Sequence, residues 1–454
     1  MNPRLLDPFL DLVHHMAQAW SDPRPRPKVP DLALGLLCGQ GPATLTRALH
    51  WLGADHQDWS ADYRLFSQAH WEIDQCFAPV LAGAVAYARE ASTPLYVGQD
   101  DTLIRKSGKT IPGTAWARDP LGPPFQVNLV FGQRFLQTAV LVKPPGLERP
   151  WRSIPVGFRH VPPLKAPRRA TPEQHAAVKE ARKKSNLSTA AAQELRQLRE
   201  HLDQLPHGAE RLIIDAVDGG YANRTFLRNL PERTEVVARI RKNAHLRAHL
   251  SADQWVGARR YGADLPTPEE FLRDPSIPWQ QLSVFVAGQL RSLHYKVVDA
   301  VCWPQTTRTR PMRLILIKAA GYRLRKGSKL LYRQPAFLIT SATTLDVRSL
   351  IEAYLARWEL EVNFRDEKTI VGVGQTQVRS PLSVPRAPAF MVVCYAALLL
   401  VSLTVFDDRR TDAFPSLPAW RKHPPLRPST RDLIALLRKE AADYVPHHQK
   451  SLAA

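Results

Sequence analysis

Apolar residues recur at helical spacing near the N-terminus, in Leu5, Phe9, Leu12 and Met16 and again in the pairs Leu32/Leu36 and Leu45/Leu49. They predict a helical region over residues 1–90, interrupted by the Pro- and Arg-rich connector 21–30. From residue 93 the pattern shortens to strand runs at 95–99, 125–131 and 136–142, and Gly132-Gln133-Arg134 reads as a hairpin turn between the last two. A Pro- and Arg-rich surface stretch, 162–184, comes next. It is followed by a helix at 190–205, a strand at 212–216, a helix at 222–229 and a strand at 235–240. Hairpins and crossovers alternate, so the sheet should be mixed and the class α/β. Residues 241–342 hold short strands at 283–287, 293–301, 312–318 and 336–341 with a basic loop at 323–333, a β-rich module inserted in the α/β domain. A helix at 346–368, an apolar helix at 387–406 and a basic, Pro-rich tail with a helix at 431–442 complete the chain. The domain reading is 1–90, 91–240, 241–342, 343–410 and 411–454.

Composition narrows the partner. The 454 residues carry 62 Lys and Arg against 42 Asp and Glu, a formal charge of +20, while 44% hydrophobic residues argue against general disorder. The partner should be anionic, with nucleic acid first and an anionic membrane surface second. Residues 387–406 contain no charge and are long enough to span a bilayer, although a helix inside a large core has the same composition. Cys38, Cys76, Cys302 and Cys394 lack zinc-ligand spacing and fit a reducing cytoplasm. The N-terminus has acidic residues among its apolar ones and does not read as a signal peptide.

Candidate chemistry concentrates in the helix at 346–368. At ~100° per residue, Tyr354, Arg357, Glu361 and Lys368 fall on one face. A solvated face with helix-spaced ion pairs would carry the same residue types. Glu359 points away from that face. Other signals fail: Ser107-Gly108-Lys109-Thr110 has Leu103 where a P-loop needs glycine. His245 and His249 lack the glutamate of a zinc protease motif, and no GxSxG occurs.

The pattern Tyr-x2-Arg-x3-Glu-x6-Lys in YLARWELEVNFRDEK, followed by GVGQTQVRS at 372–380, resembles the signature of insertion-sequence transposases of the IS4 type, which belong to the DDE class. The resemblance implies an RNase H-like catalytic domain with a mixed sheet, interrupted by a β-rich insertion, between helical N- and C-terminal regions. It implies two aspartates and a glutamate that bind metal. The matches are Asp100 in Gln99-Asp100-Asp101-Thr102, with Asp101 as competitor, Asp218 in Asp218-Gly219-Gly220-Tyr221, with Asp215 as the weaker choice, and Glu361. Such carboxylates suit two Mg²⁺ ions (Mn²⁺ as substitute), with Asp100 bridging them, Asp218 on one and Glu361 on the other. Tyr354, Arg357 and Lys368 would then contact DNA near the cut. Trp116 and Trp303 are candidates to stack on a displaced base, although a core tryptophan is the plainer reading of each.

The resemblance, which covers about residues 93–400, further implies an enzyme that binds terminal inverted repeats in double-stranded DNA. It would cleave the ends, join the 3′-OH to target DNA and act as a homodimer in the cytoplasm, on the nucleoid. The basic helical region 1–90 lies outside the resemblance and reads from composition as a DNA-binding region, although an ordinary helical subdomain would look the same. The rival expectations are a domesticated or inactive DNA-binding relative and a membrane-associated basic protein resting on 387–406.

Overall fold

A computed structural model describes residues 4–88, 93–119, 126–146, 148–206, 208–286, 288–322, 329, 331–332, 334–421, 425–442 and 444. Helices α1 (Leu6–Met16), α2 (Lys28–Cys38), α3 (Leu45–Trp51), α4 (Ser60–Ser67) and α5 (Ile73–Tyr87) lead into strands β1 (Leu95–Arg105), β2 (Ala115–Arg118), β3 (Leu129–Val142) and β4 (Arg152–His160). Helices α6 (Pro172–Lys184) and α7 (Leu187–Asp203), strand β5 (Ile213–Val217), helix α8 (Arg224–Leu227) and strand β6 (Thr234–Arg239) follow.

Next come β7 (Arg247–Ala248), α9 (Pro268–Arg273), β8 (Gln280–Val286), β9 (Gln289–Cys302), α10 (Pro304–Thr307), β10 (Met312–Ile317), β11 (Gly321–Tyr322), β12 (Leu331–Tyr332) and β13 (Ala336–Thr340). The chain closes with α11 (Val347–Ala356), α12 (Trp358–Asp366), α13 (Ser383–Phe406) and α14 (Thr430–Glu440).

The strand pairing follows the RNase H-like plan. β4, β3 and β1 are antiparallel neighbours, and β5 and β6 then add parallel to β1. The β-rich segment 241–342 forms no separate main sheet. β13 pairs antiparallel with β6, and β10 and β9 continue outward, so one sheet runs from β2 to β7. Most of the basic loop at 323–333 lies outside the described residues.

The expected turn at Gly132-Gln133-Arg134 is instead the middle of one long strand, β3. A Cβ on Gly132 would lie 2.3 Å from the Ile104 carbonyl oxygen, so glycine serves the close approach of β1 there and not a turn. Strand β4 gave no sequence signal because Pro155 interrupts it. The strand tolerates proline because the register with β3 shifts there, between Thr138 and Ala139, and because among the described residues only β3 pairs with β4. Residues 172–184, expected as part of a surface stretch, form α6.

Two cores sandwich the sheet. One face of β5, Ile214 and Ala216, packs under Leu350, Ile351 and Leu360 of α11 and α12. The other, Ile213 and Val217, joins a larger core with α7, α13 and the N-terminal helices. Helix α13 is long and apolar enough to cross a membrane, yet 89% of its most apolar window is buried inside the protein. It packs against α5, α1, α2 and β4, as expected of a core helix. Because α1 to α5 close over α13, the N-terminal region shares its core with the sheet.

Candidate active site

The site grows from the place where the parallel pair β1 and β5 comes apart. β1 stays paired with β3 along its whole outer half, with Asp100 opposite Gln137 and Asp101 opposite Leu136. Its pairing with β5 stops at Gln99 opposite Val217. Asp100 therefore sits inside a strand rather than at its end, while the edge facing β5 opens beside it. Asp218 is the first residue after β5. The carboxyl ends of parallel strands, where the backbone splays, are the usual ligand positions of open α/β sheets.

Strand alternation separates the two neighbouring aspartates. Asp100 lies on the face of Gly98, which α12 covers through Leu360. Asp101 lies on the face of Gln99, whose amide donates to the Ala191 carbonyl of α7. Arg357 Nη1 donates to Asp100 Oδ2 at 2.6 Å, and its Nη2 donates to Glu361 Oε1 at 3.3 Å. One guanidinium thus joins two of the three expected acids. Asp218 lies within electrostatic reach of Asp100, Tyr354 and Arg357. Asp101 instead faces Arg134 at 3.5 Å and accepts a 3.4 Å hydrogen bond from the Tyr221 hydroxyl. Asp215 is fully buried in β5 between Val97 and Val236, with neither oxygen hydrogen-bonded, and burial pushes its carboxyl far above the usual range.

Burial also raises the Asp100 carboxyl, to about 6. Arg357 and the Asp101 N–H oppose the shift, while Asp101 and Asp218 add to it. On Arg357 burial works against the charge, but Asp100, Tyr354, Asp218 and Glu361 outweigh it and hold the proton more tightly than usual. Tyr354 is raised by burial. The cluster is thus a half-buried group of acids bridged by the Arg357 guanidinium.

The helix expected over 346–368 is not continuous. At Arg357 the ladder tightens, with the Leu360 N–H on the Arg357 carbonyl, and α12 restarts at Trp358. Residues Glu367–Val371 form a π-turn that ends at Gly372, which takes φ +80°, a left-handed conformation suited to glycine. Lys368 lies within this turn. Its charged neighbours are Glu367, Asp119, Arg105 and Asp101, and burial lowers its ammonium. Tyr354, Arg357 and Glu361 do come together, and Glu359 points away, onto Arg427 at 2.6 Å.

Sequence reasoning missed Arg134 and Glu367. Glu367 is buried against Gln137, the residue across the ladder from Asp100, and burial pushes its carboxyl up to about 8. Nothing in the run Arg365-Asp366-Glu367-Lys368 distinguishes it from a solvated charge. Trp116 differs from the core reading: it is 66% exposed on the short strand β2, leaning on Phe131. Trp303 is partly buried against the larger core.

The donors fit a hard divalent cation in their chemistry. They are partly buried carboxylate oxygens, with a guanidinium already serving as counter-ion to Asp100 and Glu361. Among the described residues, no three His, Cys, Asp or Glu side chains converge closely enough to hold a metal. Arg357 occupies the space between Asp100 and Glu361 in this arrangement. Residues 26–310 match the family described as DDE superfamily endonuclease, a span that includes Asp100 and Asp218 and stops before Glu361. No curated protein matches the chain.

Proposed function

This chain belongs to the DDE superfamily of endonucleases, and from that premise we propose that it is a DNA transposase of the IS4 type. It binds terminal inverted repeats, cleaves the element ends by metal-dependent phosphodiester hydrolysis and joins the freed 3′-OH to target DNA. The observation that carries this reading is the pairing of Asp100 and Glu361, 261 positions apart, through Arg357 beside the end of β5, where Asp218 stands.

In this reading Asp100, Asp218 and Glu361 would hold two Mg²⁺ ions, which when bound would supply an activated water and charge neutralisation at the scissile phosphate. The chain's own residues then have separable tasks. Arg357 exchanges its carboxylate partners for a phosphate oxygen, a bidentate contact its planar fork suits. Tyr354, half-buried beside Arg357, packs against the same DNA backbone. Lys368, on the Asp101 side, takes a phosphate further along the strand. Two ends cut in one complex require two copies of the chain, so the active form is a homodimer working in the cytoplasm on the nucleoid.

Cleavage of terminal-repeat DNA in Mg²⁺ tests the reading. Asp100→Asn, Asp218→Asn and Glu361→Gln should each bind the DNA and fail to cut it. Normal cutting by all three would refute the assignment. A domesticated relative would bind the repeats without cutting in any divalent metal.

A further inference from the structure

Helix α6 is unlike the other long helices. None of its 13 residues is buried. Helices of this length are marginal in water and are normally held by packing an apolar face. Here the ends hold it instead. Thr171 and Gln174 form a capping box, Pro172 occupies the first turn, Arg182 Nε donates to the Leu164 carbonyl at 2.8 Å, and Asn186 Nδ2 donates to the Lys183 carbonyl at 3.0 Å.

The outward surface is cationic. At ~100° per residue, His175, Lys179, Arg182 and Lys183 fall within an arc of about 100°, and Glu173 and Glu180 fall to one side of it. Arg168 and Arg169 precede the helix and Lys184 ends it, all exposed. Cations in the last turn also complement the helix dipole, but Arg168, Arg169 and Lys179 lie outside that turn.

The arm is attached to the edge of the candidate site. Lys165 Nζ donates to the Thr114 carbonyl at 3.1 Å. A cleft of about 320 Å³ beside the arm is lined by Trp116, Arg134, Pro162 and Asn186. Arg134 is the residue that faces Asp101, next to Asp100. Arg134 beside the acids and an exposed tryptophan therefore line a cleft whose walls lead into a cationic helix with no buried residue.

We propose that residues 165–184 form a DNA-docking arm, with α6 laying its basic stripe along the phosphate backbone of the duplex that flanks the cut. This rests on the reading of the chain as a DNA-cutting enzyme. Charge complementarity selects the occupant: a stripe of exposed Lys and Arg without an apolar partner face suits phosphates and not a protein core.

The test compares the full-length protein with a variant carrying Arg168, Arg169, Lys179, Lys183 and Lys184, each →Ala. Arg182 and Lys165 are left intact because they anchor the arm. Duplex binding is measured by fluorescence anisotropy over a series of salt concentrations. The slope of log K against log salt should become shallower by about 0.9 for each phosphate contact removed, about 4.5 if all five cations contact phosphates. In the wild type, bound duplex should protect Lys179, Lys183 and Lys184 from acetylation.

An unchanged slope, or unprotected lysines, would overturn the arm while DNA cutting by the wild type left the functional reading intact. Absence of duplex binding by the wild type would remove both. A variant that binds DNA normally but no longer self-associates on sedimentation would assign the stripe to a second copy of the chain and overturn the proposal.

Discussion

Asp100→Asn should make the protein more stable while abolishing cutting. The Asp100 side chain is only 20% exposed, and its carboxyl is raised from about 3.8 to about 6, chiefly by burial. A carboxyl whose folded pKa exceeds its unfolded value binds its proton more tightly in the native state, so stability falls as pH rises between the two values. Two units correspond to ~3 kcal/mol, lost in full above pH 6 and absent below pH 4. Asparagine resembles the protonated acid and escapes the cost. The variant should therefore gain about 3 kcal/mol at pH 7.5, about half of that at pH 5 and nothing near pH 4. Urea unfolding at these pH values measures it. Mg²⁺ should stabilise the wild type, by ~2.7 kcal/mol at one hundred times its dissociation constant, and the variant far less. A variant less stable than the wild type at pH 7.5, or a gain that ignores pH, would refute the picture of an uncomfortable buried acid awaiting a cation.

Three other outcomes are expected. Arg357→Ala removes the cation that lowers the Asp100 carboxyl, so the acid limb of the pH profile for cutting should move up by on the order of one unit, read from initial rates. Gly98→Val would press on Leu360, because even a Cβ there lies 2.9 Å from Leu360 Cδ1; ~1–3 kcal/mol of stability and most of the cutting should be lost together, in unfolding and cleavage assays, as α12 and Glu361 are displaced. Arg152 and Asp408 form a buried ion pair that ties the end of α13 to β4, so Arg152→Ala should cost ~3–5 kcal/mol in urea unfolding, and Arg152→Met with Asp408→Leu should recover most of it.

The sequence by itself determined the α/β class and the position of the apolar helix α13, because both follow from local hydrophobic period and charge; that α13 lies in the protein core was decided by the elements that close over it. It also marked Tyr354, Arg357 and Glu361, since a helix places residues at fixed spacing on one side whatever surrounds it. It did not show the π-turn at Glu367–Val371, which depends on what the backbone packs against and not on the spacing of side chains. It read Gly132 as a turn, whereas the long strand β3 needed glycine so that β1 could approach.

Only the tertiary structure separated Asp100 from Asp101. They are adjacent in sequence, and a strand sends them to opposite faces, but which face meets α12 is decided by how the sheet is covered. The structure likewise decided that Glu361 lies near Asp100, that Glu367 is buried beside Gln137, and that α6 stands clear of the core. These are contacts between residues tens to hundreds of positions apart, and they come from packing energies summed over the whole sheet, which no local pattern encodes.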